Sequence, residues 1–302
     1  MRIIKNKLTW IDILNPTKKD IEFINKGHKF HPIILDELFH ASARSKVESY
    51  KKYLFLTYHM PIYDNKLKTS RRAEVDFIVT KDKVITVHYE DLEPINNFWR
   101  KLSNNKLFKD RVMKDNTGFI LYYLIEEILA FSERQLRHIE SKTTDVSKRL
   151  FQNREAALLE NISYLKRDIL DYSIISKPQK TVLESLKEVA GGFWNKDMKI
   201  YFSDLTGDHL KIIQHLENFK ETVAALGETN AQLLNAKTNA VMQKFTVLAF
   251  LTYPLVILTS LFDIKVVDNI MANHQIMFVT SFGIVFIVTI IMLAIFKKRG
   301  WL

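Results

Sequence analysis

Two long apolar runs without a charged residue lie at the C-terminal end of the chain, at 245–262 and 276–296. A short polar stretch, 263–275, separates them. An α-helix needs about 20 apolar residues to cross a bilayer core. Both runs meet that length, the first only just. The pattern therefore predicts a transmembrane hairpin, in preference to a pair of buried helices in a soluble protein.

Basic residues beside these runs indicate their orientation. Lys297, Lys298 and Arg299 follow the second run directly, and Lys237 and Lys244 precede the first. The connecting stretch carries one lysine against two aspartates. Segments rich in lysine and arginine stay on the cytoplasmic side of a membrane. We therefore expect a multi-pass protein of the cell membrane with both termini in the cytoplasm.

A coiled-coil repeat precedes the first apolar run. From Tyr201 to Phe262 the only proline is Pro254, so one helix about 90 Å long is predicted at a rise of about 1.5 Å per residue. Apolar residues recur at alternating spacings of four and three, with Asn230 in one position: Ile212, Leu216, Phe219, Val223, Leu226 and Leu233. This spacing is typical of a helix packed in a bundle. It predicts a stalk helix at 201–244 that continues into the membrane.

Shorter patterns of strands and helices fill the rest of the chain. Strands are predicted at 53–58, 75–79 and 83–87, the last two joined by a tight turn at Lys81–Asp82. Helices are predicted at 18–25, 33–39, 117–149, 154–175 and 178–189, the last ending at Gly191–Gly192.

These elements predict an α+β membrane protein. Its parts are a cytoplasmic α/β domain at 1–115, a helical part of that domain at 116–200, the stalk at 201–244 and a transmembrane hairpin with a basic tail at 245–302.

Composition removes several classes of function. The chain has 302 residues, a net charge of +10 and no cysteine, so disulfides and thiolate metal sites are excluded. Its basic residues are interleaved with acids rather than massed, which argues against a nucleic-acid partner. A body that lies near anionic lipid headgroups accounts for the positive net charge. Neither a glycine-rich phosphate loop nor a His-Glu-x-x-His motif is present, so an enzyme is not expected.

Short motifs along nearly the whole chain are similar to those of one known family. They are Trp10–Asp12, Asn15–Pro16, His31–Glu37, Arg44–Glu48, Tyr53–Phe55, Tyr201–Asp204, Asn239–Met242, Pro254 and the basic end Lys297–Leu302. With these motifs the chain resembles the CorA family of divalent-cation channels. The resemblance implies a homopentamer in a lipid bilayer, whose pore carries Mg²⁺ and is gated by cytoplasmic metal, with no organic cofactor.

One side of the stalk and first membrane helix is expected to line that pore. Extending the stalk spacing into the membrane selects one face, and the family's pore lining favours the same face. The predicted pore residues are Asn239, Met242, Phe245, Thr246, Ala249, Tyr253, Val256, Ser260 and Asp263. The family often has a methionine gate where Tyr253 stands and a threonine where Val256 stands, so altered conduction is expected.

The sequence departs from the family at the outer end of this helix. The family signature Tyr-Gly-Met-Asn-Phe corresponds to Phe262–Val266, where Asp263, Ile264 and Lys265 replace the Gly-Met-Asn triplet. Helical phase places Asp263 toward the lumen and Lys265 about 160° away from it. A ring of carboxylates would collect cations. Alternatively, both residues are anchors at the membrane surface.

A regulatory metal site is also implied by the resemblance. In the family an aspartate at the position of Asp204 pairs with an acid of the next subunit's N-terminal domain, and Mg²⁺ bridges them. Asp64 is the candidate partner. Alternatively, Asp204 caps the N-terminus of its helix, since it follows Tyr201–Ser203 near the expected start.

Three functions remain open at this point. The first is a channel for Mg²⁺, and the second is the same scaffold with selectivity for Zn²⁺, Ni²⁺ or Co²⁺. The third is a membrane scaffold that does not conduct, because its filter triplet is replaced.

Overall fold

The computed structural model describes residues 1–152, 155–262 and 274–301. It forms two compact units, Met1–Gly227 and Glu228–Leu302, which we call the body and the membrane segment. The domain limits drawn above at 115, 200 and 244 stay predictions.

A six-stranded sheet with the order β1-β2-β6-β5-β4-β3 forms the centre of the body. Neighbouring strands are antiparallel except for the pair β2 and β6, which is parallel. The strands are β1 Arg2–Lys5, β2 Thr9–Leu14, β3 Lys46–Ser49, β4 Leu54–Asp64, β5 Thr69–Val79 and β6 Lys83–His88.

The three predicted strands are confirmed, but two of them are longer than the sequence indicated. β4 continues past Tyr58 to Asp64, although Pro61 lies within it. A proline removes a ladder donor and is tolerated where a strand has a free edge. β3 pairs with β4 only as far as Thr57, so Pro61 faces no strand on that side while it pairs with Arg72 on the other.

Nine described helices accompany the sheet. They are α1 Lys18–Asn25, α2 Pro32–Glu37, α3 Glu93–Asn104, α4 Lys106–Val112, α5 Thr117–Arg149, α6 Glu155–Ser176, α7 Gln179–Phe193, α8 Met198–Phe262 and α9 His274–Lys298.

The end of α7 differs from the prediction. The glycines at 191 and 192 were expected to end the helix because glycine has a low helix propensity. The helix instead continues to Phe193, whose side chain is buried. Trp194 follows and donates from Nε1 to Oγ1 of Thr117 at 2.8 Å. Tertiary packing at this end therefore outweighs the local preference of the glycines.

The apolar core lies on both faces of the sheet. One face packs against α1 and α2 through Ile21, Ile24 and Ile34. α5 and α6 lie against β4 and β5. The first turns of α8 belong to the same body, because Phe202 and Leu205 are fully buried.

The membrane segment consists of the rest of α8 and of α9. By length and composition, the helices containing Met198–Ser260 and Val279–Lys298 could each cross a membrane. Pro254 lies inside α8. The ring of Phe250 is 6.0 Å from that of Phe296, centroid to centroid, so α8 and α9 are in contact there.

Candidate functional site

The predicted pore face of α8 is open in a single chain. The residues Met242, Phe245 and Tyr253 have relative solvent exposures of 60%, 63% and 66%. Thr246 is half-buried. The remaining described members are exposed: Asn239, Ala249, Val256 and Ser260. None of the residues that the structure describes therefore covers this face.

Another side of α8 faces α9. A groove of about 380 Å³ between the two helices is lined by Phe250, Tyr253, Pro254 and Ile257 of α8, with Ile284 and Val288 among its α9 residues. Val247 and Leu258 are buried on the same helix. Val247 directly follows Thr246 and is rotated from it by about 100°. The predicted pore face is thus largely separate from the side packed on α9, and Tyr253 lies at the boundary between them.

Oxygen-bearing side chains recur along the pore face at a spacing of seven residues. Asn239, Thr246, Tyr253 and Ser260 follow this spacing, which corresponds to about 10.5 Å along the helix axis. The apolar residues Met242, Ala249 and Val256 lie between them.

Two of these hydroxyls use their protons within the helix. Thr246 donates from Oγ1 to the carbonyl oxygen of Met242 at 2.8 Å, and Ser260 donates from Oγ to that of Val256 at 2.9 Å. Their oxygen lone pairs remain available to accept hydrogen bonds from the water shell of a cation.

The predicted filter region is not part of this geometry. Asp263, Ile264 and Lys265, with the rest of the connecting stretch to Asn273, lie outside the described residues.

Asp204 is not the N-cap of its helix. α8 begins at Met198, whose backbone N–H donates to Oδ1 of Asn195 at 3.1 Å. The N-cap alternative for Asp204 is therefore wrong, because the helix starts earlier than the sequence indicated. Asp204 is exposed, and its Oδ2 accepts a hydrogen bond from Tyr122 Oη at 3.0 Å. Burial and this bond raise the pKa of Tyr122, so the phenol stays a donor to the carboxylate.

Further acids surround Asp204. Burial raises the pKa of Glu126, and the negative charges of Glu127, Asp204 and Asp208 raise it further. A groove of about 250 Å³ between α5 and α8 is lined by Glu126, Glu133 and Asp208, together with Lys211 and His215. Within the residues that the structure describes, no group of three or more acidic or histidine side chains is placed to hold a metal ion.

Asp64 stabilises the turn between β4 and β5. Its Oδ1 accepts from the backbone N–H groups of Lys66 at 2.8 Å and Leu67 at 3.1 Å. Its Oδ2 lies 3.8 Å from Nε of Arg71. The backbone hydrogen bonds lower the pKa of Asp64, so it is ionised at neutral pH.

One chain does not bring Asp64 and Asp204 together. Tyr63, beside Asp64, donates its backbone N–H to Gln135 of α5. Asp204 accepts a hydrogen bond from Tyr122, which also belongs to α5. Tyr122 and Gln135 are thirteen residues apart, which corresponds to about 20 Å along an α-helix. A metal that bridged these two aspartates would have to join two subunits.

Two sequence comparisons connect the chain with metal transporters. Residues 5–298 match the family described as CorA-like Mg²⁺ transporter protein. The cobalt/magnesium transport protein CorA of Thermotoga maritima is 22% identical over 295 residues, which cover 97% of this chain and 83% of that protein. The protein of the same name from Methanocaldococcus jannaschii is 20% identical over 296 residues, which cover 98% and 92%.

The fold matches a solved structure over its whole length. The complete structure of the CorA magnesium transporter from Methanocaldococcus jannaschii gives a TM-score of 0.84 at 19% identity and covers 100% of this chain and 94% of that one. At this identity the likeness shows the fold alone. It confirms an N-terminal α/β domain, a long stalk helix and two C-terminal candidate membrane helices. The family consists of transporters rather than enzymes, and its match spans nearly the entire sequence, so the chain belongs to the CorA-like Mg²⁺ transporter family.

Proposed function

We propose that copies of this chain assemble as a pentamer around α8 and form a membrane channel for divalent cations, with Mg²⁺ as the principal ion. The observation that carries the proposal is the face of α8 from Asn239 to Ser260, which stays open in one chain and bears an oxygen group at every seventh residue.

Membrane physics supports this use of the open face. Lipid covers apolar side chains well but disfavours polar ones, which therefore turn toward other helices or a water-filled path. Ser260 is such a polar group within the first apolar run, and Asn239 precedes that run on the same face. When several copies of α8 surround an axis, these residues form rings around water while the apolar side chains of α9 face lipid.

The spacing of the oxygen groups suits a hydrated ion. Mg²⁺ gives up its water reluctantly and is held through that water by oxygen acceptors. Conduction needs several weak sites rather than one tight site. Rings at Asn239, Thr246, Tyr253 and Ser260, separated by Met242, Ala249 and Val256, would provide such a series.

The selectivity of the channel depends on residues that differ from the family pattern. Tyr253 and Val256 stand at the expected gate, and Asp263, Ile264 and Lys265 stand at the expected filter. These differences favour a second candidate function, in which the scaffold carries Co²⁺, Ni²⁺ or Zn²⁺ or does not conduct. The name of the Thermotoga maritima relative includes cobalt as well as magnesium.

Gating by cytoplasmic metal forms the second part of the proposal. Asp204 is exposed on α8, and a bridge from it to Asp64 of a neighbouring subunit would hold two bodies together while Mg²⁺ is abundant. Losing the ion would leave apposed carboxylates that repel each other. The basic residues Lys297, Lys298 and Arg299 support a cytoplasmic location for the body and for both termini.

Ion flux into liposomes tests the proposal. The purified full-length protein is reconstituted, and entry of Mg²⁺, Co²⁺, Ni²⁺ and Zn²⁺ is followed with metal-sensitive dyes inside the vesicles. Flux led by Mg²⁺ supports the principal function. Preference for another ion supports the altered-selectivity alternative, and the lack of flux for every ion supports the non-conducting scaffold.

The absence of cysteine allows the pore face to be mapped directly. Ala249→Cys places one thiol on the predicted pore face, and the matched control Leu248→Cys places one about 100° away on the same turn. Both positions are exposed in a single chain. A charged, water-soluble thiol reagent is expected to block flux through the Ala249→Cys protein alone. Equal sensitivity of both variants would contradict the assigned face.

A further inference from the structure

A cleft of about 580 Å³ opens in the body, between the loop before β3 and the junction of α6 with α7. Its charged lining residues are Arg44, Lys46 and Arg72, and no acid lines it. It lies outside the groove around Asp204 and has no residue in common with the predicted pore.

The two arginines of this cleft have no acidic partner. Both are exposed, and neither forms an ion pair with any residue that the structure describes. Arg72 is held in position by a hydrogen bond from Nη1 to the carbonyl oxygen of Ala43 at 3.0 Å. The remaining N–H groups of its fork stay free to bind an anion.

Lys46 has a different role in the same cleft. Its Nζ lies 2.9 Å from carboxylate oxygens of both Glu37 and Glu48. Its charge is thereby more than offset by carboxylates of the fold. The positive potential available to a ligand therefore comes from Arg44 and Arg72.

A buried hydrogen-bond network fixes the floor of the cleft. His59 Nδ1 lies 2.8 Å from Ser45 Oγ, and its Nε2 lies 2.9 Å from Oε2 of Glu74. Gln179 donates from Nε2 to Ser45 Oγ at 2.8 Å and accepts the backbone N–H of His59 at 3.2 Å. These bonds tie the loop that carries Arg44 to β4 and to the start of α7, so the site is preorganised.

The helical wall of the cleft has a polar and an apolar side. Thr181 and Ser185 line it and lie four residues apart, which places their hydroxyls on one face of α7. Pro178 and Val182 are also four residues apart, and together with Ile174 of α6 they form the apolar side of the wall. A ligand in the cleft would thus meet hydroxyl donors and cations on one side and apolar surface on the other.

We propose that this cleft binds a phosphorylated small molecule of nucleotide size, with its phosphate at Arg44 and Arg72 and its organic part against Ile174, Pro178 and Val182. The planar arginine fork matches phosphate oxygens in two-point contacts. The volume of the cleft falls within the range of about 300–1,000 Å³ that is usual for small-molecule sites. The proposal goes beyond ion transport and does not depend on it.

Titration calorimetry with AMP tests this site. The full-length protein in detergent is titrated with AMP, inorganic phosphate and adenosine in buffer containing EDTA, which removes effects of metal chelation. We expect AMP to bind more tightly than phosphate, and adenosine to bind at least tenfold more weakly than AMP. Arg44→Gln and Arg72→Gln should each weaken AMP binding at least tenfold.

Two variants make the result specific. Arg111→Gln removes an exposed arginine of α4 that does not line the cleft, and it should leave the affinity for AMP unchanged. Arg44→Lys keeps the charge without the fork and should lose less affinity than Arg44→Gln. No binding of AMP or phosphate to the wild-type protein would overturn the proposal. So would equal affinity of the wild-type and both glutamine variants, or equal losses in Arg44→Gln and Arg111→Gln.

Discussion

The body and the membrane segment treat their large apolar side chains in opposite ways. In the body, Trp10, Phe77 and Phe98 are fully buried. In the membrane segment, the residues Val279 and Phe286 have relative solvent exposures of 69% and 67%. The body therefore completes its core with its own chain, whereas the membrane segment presents apolar surface for lipid and for other copies.

Polar side chains show the same contrast. In the body, the Trp10 indole donates to Thr86, and Thr86 donates to the buried carboxylate of Asp12, so polar groups from distant parts of the sequence are paired. In the membrane segment, Thr259 and Thr289 donate to carbonyl oxygens three or four residues earlier in their own helices. Where no water is available, backbone and hydroxyl groups have to be satisfied locally. The body contains such local bonds as well, so it differs from the membrane segment by adding pairs between distant parts of the chain.

The largest expected effect separates the two units directly. Phe77→Ala empties a fully buried site of the sheet and should lower the free energy of unfolding of the body by about 3–5 kcal/mol. The matched change Phe286→Ala acts on an exposed ring of α9 and should alter it by less than about 1 kcal/mol. Urea unfolding of the detergent-solubilised protein, followed by tryptophan fluorescence, measures both. Similar losses in the two variants would contradict the comparison.

The parts of the structure that depend on local pattern could be predicted from the sequence. The core of β4 follows from Tyr53–Tyr58, and α5 follows from its apolar periodicity over Thr117–Arg149. The extension of β4 to Asp64 was missed because Pro61 and polar residues interrupt the strand pattern. The continuation of α7 past its glycines depends on the packing of Phe193, which local propensity does not contain.

Long-range polar contacts left no signal in the sequence. Tyr122 and Asp204 are 82 residues apart, and the His59–Gln179 contact joins residues 120 positions apart. Neither pair follows a helical or strand period. For the candidate pore, the choice of helix face rests on the stalk spacing together with the family resemblance, and it stays a prediction. The structure of one chain does not specify what contacts the open face.

The second test concerns a carboxyl group of the body whose pKa is raised by burial. Asp76 accepts hydrogen bonds from Thr57 and Tyr89. Burial and, next, the nearby charge of Glu74 together raise its pKa to about 7. The folded state keeps this proton up to about pH 7, while the unfolded chain releases it near 3.8. Stability is therefore lost as the pH rises through that window.

Asparagine resembles the protonated carboxyl group and cannot ionise, so it avoids the loss of stability that ionised Asp76 causes. We expect Asp76→Asn to be more stable than the wild-type protein at pH 8 by on the order of 2 kcal/mol. The difference should shrink steadily as the pH falls toward 4, as measured by urea unfolding at a series of pH values. Asp36→Asn, at an exposed carboxylate, serves as the control. A stability difference that does not vary with pH would show that Asp76 is ionised in the fold.

A third test asks whether metal binding at the body is linked to the state of the assembly. Under the proposed gating, Mg²⁺ protects the full-length protein from protease, and Asp204→Ala should raise the Mg²⁺ concentration required at least tenfold. A tenfold change corresponds to about 1.4 kcal/mol. Tyr122→Phe removes the hydrogen-bond donor but keeps the carboxylate of Asp204, so it should cause a much smaller shift. An unchanged midpoint in Asp204→Ala would remove the gating role.

The smallest expected effect comes from a half-buried ring of the body. The ring of His138 lies 3.7 Å from that of Tyr63, centroid to centroid. Its Nε2 is 3.8 Å from Oδ2 of Asp168. Burial and, to a smaller degree, the charge of Lys142 together lower the pKa of His138 to about 4. Between pH 6.5 and 4 the unfolded chain binds the proton and the folded body does not, so stability falls as the pH falls through this window.

The side chain of His138 remains 31% exposed, and solvent screening should therefore limit the effect to less than about 1 kcal/mol. His138→Gln cannot titrate, and its unfolding midpoint should fall less than that of the wild-type protein between pH 7 and pH 4.5. Burial also raises the pKa of Asp168, which acts in the opposite direction, but both proteins carry this carboxyl and its contribution largely cancels. His40→Gln, at an exposed ring, should follow the wild-type profile. Parallel profiles for the wild-type and His138→Gln proteins would mean that water reaches His138 freely and that the body is less closed at this point than its burial indicates.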